Sequence, residues 1–300
     1  KLKDQDESVR RVAVMELADT AEPAAIALIG SALKDPSAEV RLQAAIALGE
    51  FDGAECAAML AIGLVDSDNR VARAAADSLA ELKDPDAADP IFPLIEHENP
   101  LVRAGALRGV KELRRTESLP YALRALNDDD PQVRVEALGV VGYLKAEEAL
   151  PALIARVTDP VADVRRTAVG ALAFSRTTHA ADALIRALSD PDWSVREAAA
   201  EMLGKGRMTR GVPSLLTAIT DPDWQVRVKI VRSLGQMKVV EAVPLIAVAL
   251  GDEVSNLRKE TAAALGEIAH PSCRPYLEGY VDDPDPDVRK NVRWALGRIE

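Results

Sequence analysis

The chain has 300 residues, of which 48% are hydrophobic and 28% charged, and its net charge is −11. This composition is typical of a water-soluble protein, and the acidic balance argues against general binding to nucleic acid or to anionic membranes. The sequence contains no apolar run of about 18 residues and no visible leader peptide, so we expect a cytoplasmic protein that contacts neither nucleic acid nor membrane.

An arginine recurs every 31 residues along the whole chain, with Ala72 in the single slot that lacks one. The recurring residues are Arg10, Arg41, Arg103, Arg134, Arg165, Arg196, Arg227, Arg258 and Arg289. Ten copies without insertion or deletion predict an all-α protein, an α-solenoid in which helix-turn-helix repeats stack as a right-handed superhelix. We therefore expect a single repeat domain over residues 1–300. Because Lys1 to Lys3 supply only the end of a first helix, the first repeat is incomplete and a preceding segment is expected.

The same elements are predicted in each repeat, in the same order. A first helix begins near a proline, and its last apolar residue stands eight places before the arginine. A second helix then begins at a capping residue four places before the arginine. These caps are Asp6, Ser37, Asp68, Asn99, Asp130, Asp192, Asp223 and Asp285. Pro100, Pro131 and Pro286 occupy the first helical position, which tolerates a missing N–H.

A glycine eight places after the arginine often closes the second helix, either as a left-handed cap or where a neighbouring helix packs tightly. These glycines are Gly49, Gly142, Gly204, Gly235, Gly266 and Gly297. Glu300 is expected to close the last second helix. Because neither helix of a repeat can bury its apolar face alone, adjacent repeats must cover each other.

The segment Asp190 to Gly204 resembles the short HEAT-like repeat first associated with phycobilin lyases, and so do Asp221 to Gly235 and Asp283 to Gly297. The resemblance implies an α-solenoid of HEAT-like repeats. It also implies that each arginine and the aspartates six places before the arginines form a structural ladder between neighbouring repeats. The ladder should be weakest where Ala72 replaces an arginine and His97 replaces an aspartate.

The resemblance leaves several activities open, because such repeats occur in lyase subunits, metal-dependent hydroxylases and scaffolds alike. HEAT-like deoxyhypusine hydroxylases carry His-Glu pairs just after the arginine position. This chain has Val135-Glu136, Glu197-Ala198 and Lys259-Glu260 instead, without histidine. A HEAT-like metal-dependent oxidoreductase is therefore the least favoured reading, and no cofactor is predicted.

The surface formed by the second helices is expected to be the concave, ligand-facing side. Tyr143 and Phe174 occupy the same position in adjacent repeats, beside Gly139 and Gly170, and these four residues predict a shallow apolar patch flanked by Val135 and Arg166. The alternative is that both rings pack locally over the helix ends. Arg108 and Arg232 are predicted polar contacts, and Trp294 either covers the C-terminal end or anchors a partner.

The sequence gives little support for a catalytic or metal site. His97, His179 and His270 lie in different repeats, and the two cysteines, Cys56 and Cys273, stand too far apart in a solenoid to form a disulfide. The sequence thus favours a non-catalytic scaffold or adaptor that binds a protein or an extended peptide. A phycobilin lyase-like protein, or a chaperone for chromophore proteins, is the alternative that the resemblance suggests.

Overall fold

A computed structural model of the chain describes residues 1–299, and the chain divides into two compact units. Unit 1 comprises residues 1–149, and unit 2 begins at Leu150. The secondary structure of residues 1–299 is entirely helical, with 18 α-helices and short 3₁₀ segments, and this architecture is an α-solenoid. Glu300 lies outside the described residues. The expectation of one continuous domain stays a prediction.

Unit 1 contains eight α-helices, α1 to α8. The second helices of its repeats are α1 (Glu7–Ala18), α3 (Ala38–Ala47), α5 (Asn69–Leu79), α6 (Pro100–Lys111) and α8 (Pro131–Leu144). The first helices are α2 (Ala25–Ser31), α4 (Ala54–Leu64) and α7 (Ser118–Ala125). Short 3₁₀ segments are Ala32–Lys34, Leu48–Glu50, Pro85–Ala88, Phe92–Glu96 and Glu147–Ala149.

The first helix of the fourth repeat differs from the predicted α-helix. Two 3₁₀ segments, Pro85–Ala88 and Phe92–Glu96, take its place. Pro90 and Pro93 interrupt this stretch, and a proline removes an N–H and clashes with the preceding turn of an α-helix. The segment still packs like a first helix, because the ring of Phe92 stacks on that of Tyr121 in α7 at a centroid distance of 5.2 Å.

Unit 2 continues the alternation with α9 to α18. Its first helices are α9 (Leu150–Arg156), α11 (Thr178–Ala187), α13 (Val212–Thr217), α15 (Val243–Ala247) and α17 (Arg274–Glu278). Its second helices are α10 (Ala162–Ala171), α12 (Trp193–Lys205), α14 (Trp224–Gln236), α16 (Ser255–Ile268) and α18 (Pro286–Leu296). Their 3₁₀ extensions are Leu172–Phe174, Thr209–Gly211, Ala218–Thr220, Val240–Ala242, Val248–Gly251 and Pro271–Cys273.

Most of the predicted caps form. Side chains accept a hydrogen bond from the first turn at Asp6, Asp68, Asn99, Asp130, Asp192 and Asp285. Ser37 and Asp223 hold the cap position without a side-chain hydrogen bond to the helix. At Asp223 the reason is competition, since its carboxylate accepts from Arg196 Nη2 at 2.8 Å.

The core is built from the apolar residues that precede the ladder arginines. Val40, Val133, Val195 and Val288 are at most 1% exposed, and alanines such as Ala44 and Ala199 are fully buried beside them. Burying such a valine is worth roughly 1.5–3 kcal/mol relative to exposing it. Small alanines allow the helices of adjacent repeats to approach closely, so the repeated pattern of valine and alanine holds each unit together.

Most of the glycines that close the second helices serve close packing and not a left-handed cap. A Cβ added to Gly204 would lie 2.2 Å from Ser233 Oγ, and one added to Gly235 would lie 2.7 Å from Ala264 Cα. The left-handed residue comes later and is not glycine: φ is 54° at Lys145. The tight-packing alternative therefore explains Gly49, Gly204, Gly235 and Gly266, whereas Gly297 meets no neighbouring helix.

Candidate binding surface

The ladder between repeats is present in both units. In each rung an arginine reaches the carboxylate 25 residues further along the chain, in the next repeat. The rungs are Arg10 to Asp35, Arg41 to Asp66, Arg103 to Asp128, Arg165 to Asp190, Arg196 to Asp221, Arg227 to Asp252 and Arg258 to Asp283. In most of them Nε and Nη2 bind the two carboxylate oxygens at 2.6–3.0 Å, as in Arg41. The confirmed ladder assigns these arginines to structure.

Each rung also fixes the turn before its helix. Nη1 of Arg258 donates to the carbonyl oxygens of Asp252 and Glu253, and the carboxylate of Asp283 accepts from the backbone N–H of Asp285. The hydrogen bond from Arg258 holds the pKa of Asp283 below its usual value, although burial opposes this shift. The ion pair therefore favours the charged carboxylate that the turn requires.

The expected gap in the ladder lies between the third and fourth repeats. Ala72 is almost fully buried and offers no charge. His97 keeps part of the aspartate's role, because its Nδ1 accepts from the N–H of Asn99 at 3.1 Å and its carbonyl accepts from Arg103. No described side chain replaces the missing rung, as predicted.

A cavity opens close to this gap, on the surface that α5, α6 and α8 form. We call the surface made by α1, α3, α5, α6 and α8 the second-helix face of unit 1. The cavity has a volume of about 460 Å³ and is lined by Arg73, Asp77, Arg108, Gln132 and Glu136, with small residues of α6 beneath them. Charged groups over a floor of small residues can bind a polypeptide.

The charges around this cavity are only partly satisfied. Arg108 Nη2 binds Asp77 at 2.7 Å, but Arg108 Nε is buried and has no hydrogen-bond acceptor among the described residues. Arg73 is exposed and forms no ion pair within residues 1–299. A partner that supplied acceptor oxygens here could bind the exposed guanidinium of Arg73, which the folded chain leaves available.

The other predicted contacts in unit 1 lie on α8. Tyr143 is half-buried, and its hydroxyl donates to Glu112 at 2.9 Å and accepts from Arg114 Nη2 at 2.8 Å. Arg114 also covers the ring. Val135 is half-buried, and Gly139 stands close to the side chain of Lys111. Tyr143 is thus held by contacts with the preceding repeat, which its sequence position did not reveal.

The remaining predicted contacts belong to unit 2. Phe174 is half-buried at the end of a 3₁₀ segment, and Gly170 faces open space. Arg166 is exposed and pairs with Asp163 within α10. The predicted patch of Tyr143 and Phe174 therefore draws on both units, and it stays a prediction.

Arg232 and Trp294 lie further along unit 2. Arg232 binds Glu260 and lines a cavity of about 360 Å³ with Gln236 and Glu267. Trp294 packs over Gly266, where an added Cβ would lie 2.5 Å from the ring, and Arg298 stacks on the same ring. With 41% of its surface exposed, Trp294 both covers the preceding repeat and presents a ring edge to solvent.

Within the described part of the chain, the side chains that could bind a metal form no cluster, and the two cysteines are not exposed. Residues 1–299 contain no group of three or more histidine, cysteine or carboxylate side chains placed to hold a metal. Cys56 and Cys273 are free and buried, and burial raises the pKa of the Cys56 thiol to about 12. Within the same residues, no helix has both the length and the apolar character needed to cross a bilayer.

Arg73 and Asp77 are the functional candidates that sequence reasoning missed. Both lie on the second helix α5, but nothing in the 31-residue pattern distinguished them from other charged residues. The available signal was the displaced arginine itself, because Arg73 follows directly after Ala72, the slot where the ladder arginine is absent.

The helix pairs, the ladder and the shared core define an α-solenoid repeat protein. The family model for HEAT repeats matches residues 1–69, 57–130, 119–204, 181–254 and 242–300. The chain therefore belongs to the HEAT-repeat family.

Solved structures support the same fold at low sequence identity. An engineered protein is 20% identical with a TM-score of 0.53, over 99% of this chain and 96% of that chain. YIBA_ECOLI from E. coli is 17% identical with a TM-score of 0.56, over 99% of each chain. Kap95p, described as binding RanGDP, is 16% identical with a TM-score of 0.66, over 99% of this chain and 50% of its own. A comparison with curated proteins finds no match.

Proposed function

We propose that this protein is a non-catalytic interaction scaffold that binds a protein or an extended peptide on its second helices. The cavity beside Arg73 and Arg108 is the observation that carries this proposal. It combines an exposed arginine, Arg73, with a floor of small residues, on a face made from consecutive repeats. Kap95p, of similar fold, is described as binding a protein.

The proposed contacts follow the second helices of each unit. In unit 1 they are Arg108, Val135, Gly139 and Tyr143, to which the cavity adds Arg73. In unit 2 they are Arg166, Gly170, Phe174, Arg232 and Trp294. Arg108 receives the greatest weight, because it is a predicted contact that lines an open cavity.

The test selects peptides from a random display library on the intact protein and measures their binding to variants by fluorescence anisotropy. Arg73→Ala and Arg108→Ala should weaken the selected peptides about tenfold, in line with the loss of charged hydrogen bonds. Arg124→Ala is the matched control, since Arg124 is also an exposed arginine with one ion pair, to Glu96, but lies on the first helix α7. Equal binding to all three variants would overturn the proposal.

A further inference from the structure

The negative charge of this protein resides in unit 1. Residues 1–149 contain 17 lysines and arginines against 28 aspartates and glutamates, whereas residues 150–300 contain 20 of each. The net charge of −11 therefore belongs to the first half of the chain. Such an imbalance attracts a cationic partner to that half and repels an anionic one.

Four of these carboxylates form a line with one member in each repeat. Asp19, Glu50, Glu81 and Glu112 stand nine places after the ladder position in consecutive repeats, and we call them the acidic edge. Asp19 and Glu112 cap the C-terminal ends of α1 and α6, Glu50 ends the 3₁₀ segment that extends α3, and Glu81 follows α5. The acidic edge thus borders the second-helix face of unit 1.

Stability does not explain this placement. The C-terminus of a helix carries partial negative charge, so a carboxylate there is unfavourable by roughly 0.3–1 kcal/mol and a cation is favourable by a similar amount. The same position in unit 2 holds Lys205 and Arg298 at the ends of α12 and α18, with Phe174, Gln236 and Glu267 in the other repeats. Unit 2 thus has one carboxylate at this position, Glu267, where unit 1 has four, and a concentration of residues that break a local rule marks a candidate for function.

The acidic edge is largely unneutralised. Asp19, Glu50 and Glu81 are exposed and form no ion pair within residues 1–299. Glu112 accepts from the hydroxyl of Tyr143 and lies 3.8 Å from Lys111. Two neighbouring cations offset part of this negative charge. Lys83 is exposed two residues after Glu81, and Arg114 donates a hydrogen bond to the hydroxyl of Tyr143.

A groove lies beside this edge. The cavity at Arg108 adjoins a second one of about 460 Å³, and the two share Arg73 and Asp77. The second cavity reaches Ile46, which is 51% exposed, and includes Glu50 and Glu81 of the acidic edge. We call the two cavities together the unit 1 groove. One side is therefore acidic, and the floor is small or apolar.

We propose that the unit 1 groove binds an extended peptide that carries lysine or arginine at every third residue. This inference rests on the proposed function and names the partner's chemistry. Packed helices lie roughly 8–10 Å apart, and a chain extended in the polyproline II conformation returns to the same face every three residues, over about 9 Å. A basic side chain at every third residue therefore meets one member of the acidic edge in each repeat.

Three arginines line the groove, and two of them are already paired with carboxylates of the chain. Arg70 binds Glu39 and Asp68. Asp77 already neutralises Arg108, so Arg108 opposes a cationic peptide only weakly. Arg73 has no partner among the described residues, and its guanidinium can donate to the carbonyl groups of an extended backbone. A nucleic acid offers neither the positive charge nor the peptide carbonyls, and its phosphates would face four carboxylates.

The test compares synthetic peptides by fluorescence anisotropy on the full chain at about 50 and 150 mM salt. The probe repeats Lys-Ser-Ala four times, and a second peptide has the same composition with its four lysines adjacent. The spaced peptide should bind about tenfold more tightly. Equal affinity of the two peptides would show that overall charge alone drives binding, and would overturn the proposed register.

Variants locate the binding site. Glu50→Gln with Glu81→Gln should weaken the spaced peptide roughly tenfold, at about threefold for each carboxylate. Glu55→Gln with Glu98→Gln is the control, because it removes the same charge from exposed residues of unit 1 outside the groove. Equal loss in both pairs would overturn this inference.

The display experiment separates this inference from the proposed function. If Arg73→Ala and Arg108→Ala weaken selected peptides that lack spaced basic residues, the scaffold function stands and the basic-peptide inference fails. If no selected peptide responds to those two substitutions, the proposed function itself fails. A spaced basic peptide that responds to both Arg73→Ala and the acidic-edge substitutions supports both conclusions.

Discussion

Arg165 binds Asp190 with two hydrogen bonds, from Nε at 2.7 Å and from Nη2 at 2.8 Å. The two side chains retain only 12% and 7% of their accessible surface, so the pair joins neighbouring repeats in a partly desolvated setting. The geometry uses the planar fork of arginine, which lysine cannot reproduce.

Removing this arginine should destabilise the protein more than removing an exposed one. We expect Arg165→Ala to lower the free energy of unfolding by about 2 kcal/mol, because the carboxylate of Asp190 would be left half-desolvated and unpaired. Arg165→Lys should recover less than half of that loss. Urea unfolding followed by circular dichroism measures the effect, with Arg186→Ala on the exposed side of α11 as control. Equal loss in Arg186→Ala would contradict a special role for the ladder.

Acid should weaken the ladder in a defined direction. Arg258 lowers the pKa of Asp283 below the unfolded value of about 3.9. A depressed carboxyl pKa stabilises the folded state above the unfolded pKa, and this stability is lost as the pH falls through the folded pKa. Between pH 7 and pH 5 the contribution should be constant, and below about pH 4 it should decline.

The measurement is the melting temperature of the wild type and of Asp283→Asn from pH 7 to pH 2. Asp283→Asn should have a lower melting temperature than the wild type near neutral pH. This difference in melting temperature should become smaller as the pH falls below 4. Asp282→Asn changes the exposed neighbouring carboxylate and serves as control. A difference that stayed constant down to pH 2 would contradict the assigned shift.

The repeat pattern predicted most of the fold because the same residue types recur at the same positions in nearly every repeat. The valine before the arginine, the cap before the valine and the aspartate before the cap each recur at fixed spacing, so helices and ladder were both readable. The 3₁₀ segments near Phe92 were missed because Pro90 and Pro93 depart from the consensus. Where a repeat departs from the consensus, as at these prolines, the local residues determine the backbone conformation and the pattern does not.

The candidate surface was less predictable for a physical reason. The partners of the Tyr143 hydroxyl, Glu112 and Arg114, belong to the preceding repeat, and only the packing brings them to the ring. The cavity at Arg73 likewise arises between helices and not within one. Periodicity identifies residues that repeat, whereas a binding surface depends on residues that do not.

Two glycines on second helices should respond oppositely to the same substitution. Gly204→Ala would place a Cβ 2.2 Å from Ser233 Oγ and 2.8 Å from its Cα, so it should destabilise the protein by about 1–3 kcal/mol. Gly170→Ala meets nothing within 4 Å and lies in α10, so it should stabilise by roughly 0.5–1 kcal/mol. Thermal and urea unfolding measure both. Adding Ser233→Gly removes the clash with Oγ but not the one with Cα, so it should relieve the first defect only in part. Loss of stability in Gly170→Ala would contradict the open space at that position.

The gap in the ladder should be repairable only by restoring both partners. Ala72→Arg alone places a charge at a buried position without a carboxylate opposite it, and we expect a loss of about 1–2 kcal/mol. His97→Asp alone keeps the turn, because an aspartate oxygen can accept from Asn99 as His97 Nδ1 does. The double variant should recover the loss, with a coupling energy of roughly 1–2 kcal/mol in a double-mutant cycle.

The control for this cycle pairs Ala72→Arg with His97→Asn, which offers a similar side chain without the charge. Its coupling energy should be close to zero, since asparagine cannot form the ion pair that holds the other rungs. Equal coupling for asparagine and aspartate would mean that side-chain size, and not charge, sets the fit. If Ala72→Arg recovers stability with His97→Asp but not with His97→Asn, the backbone of the third and fourth repeats still accommodates the missing ion pair.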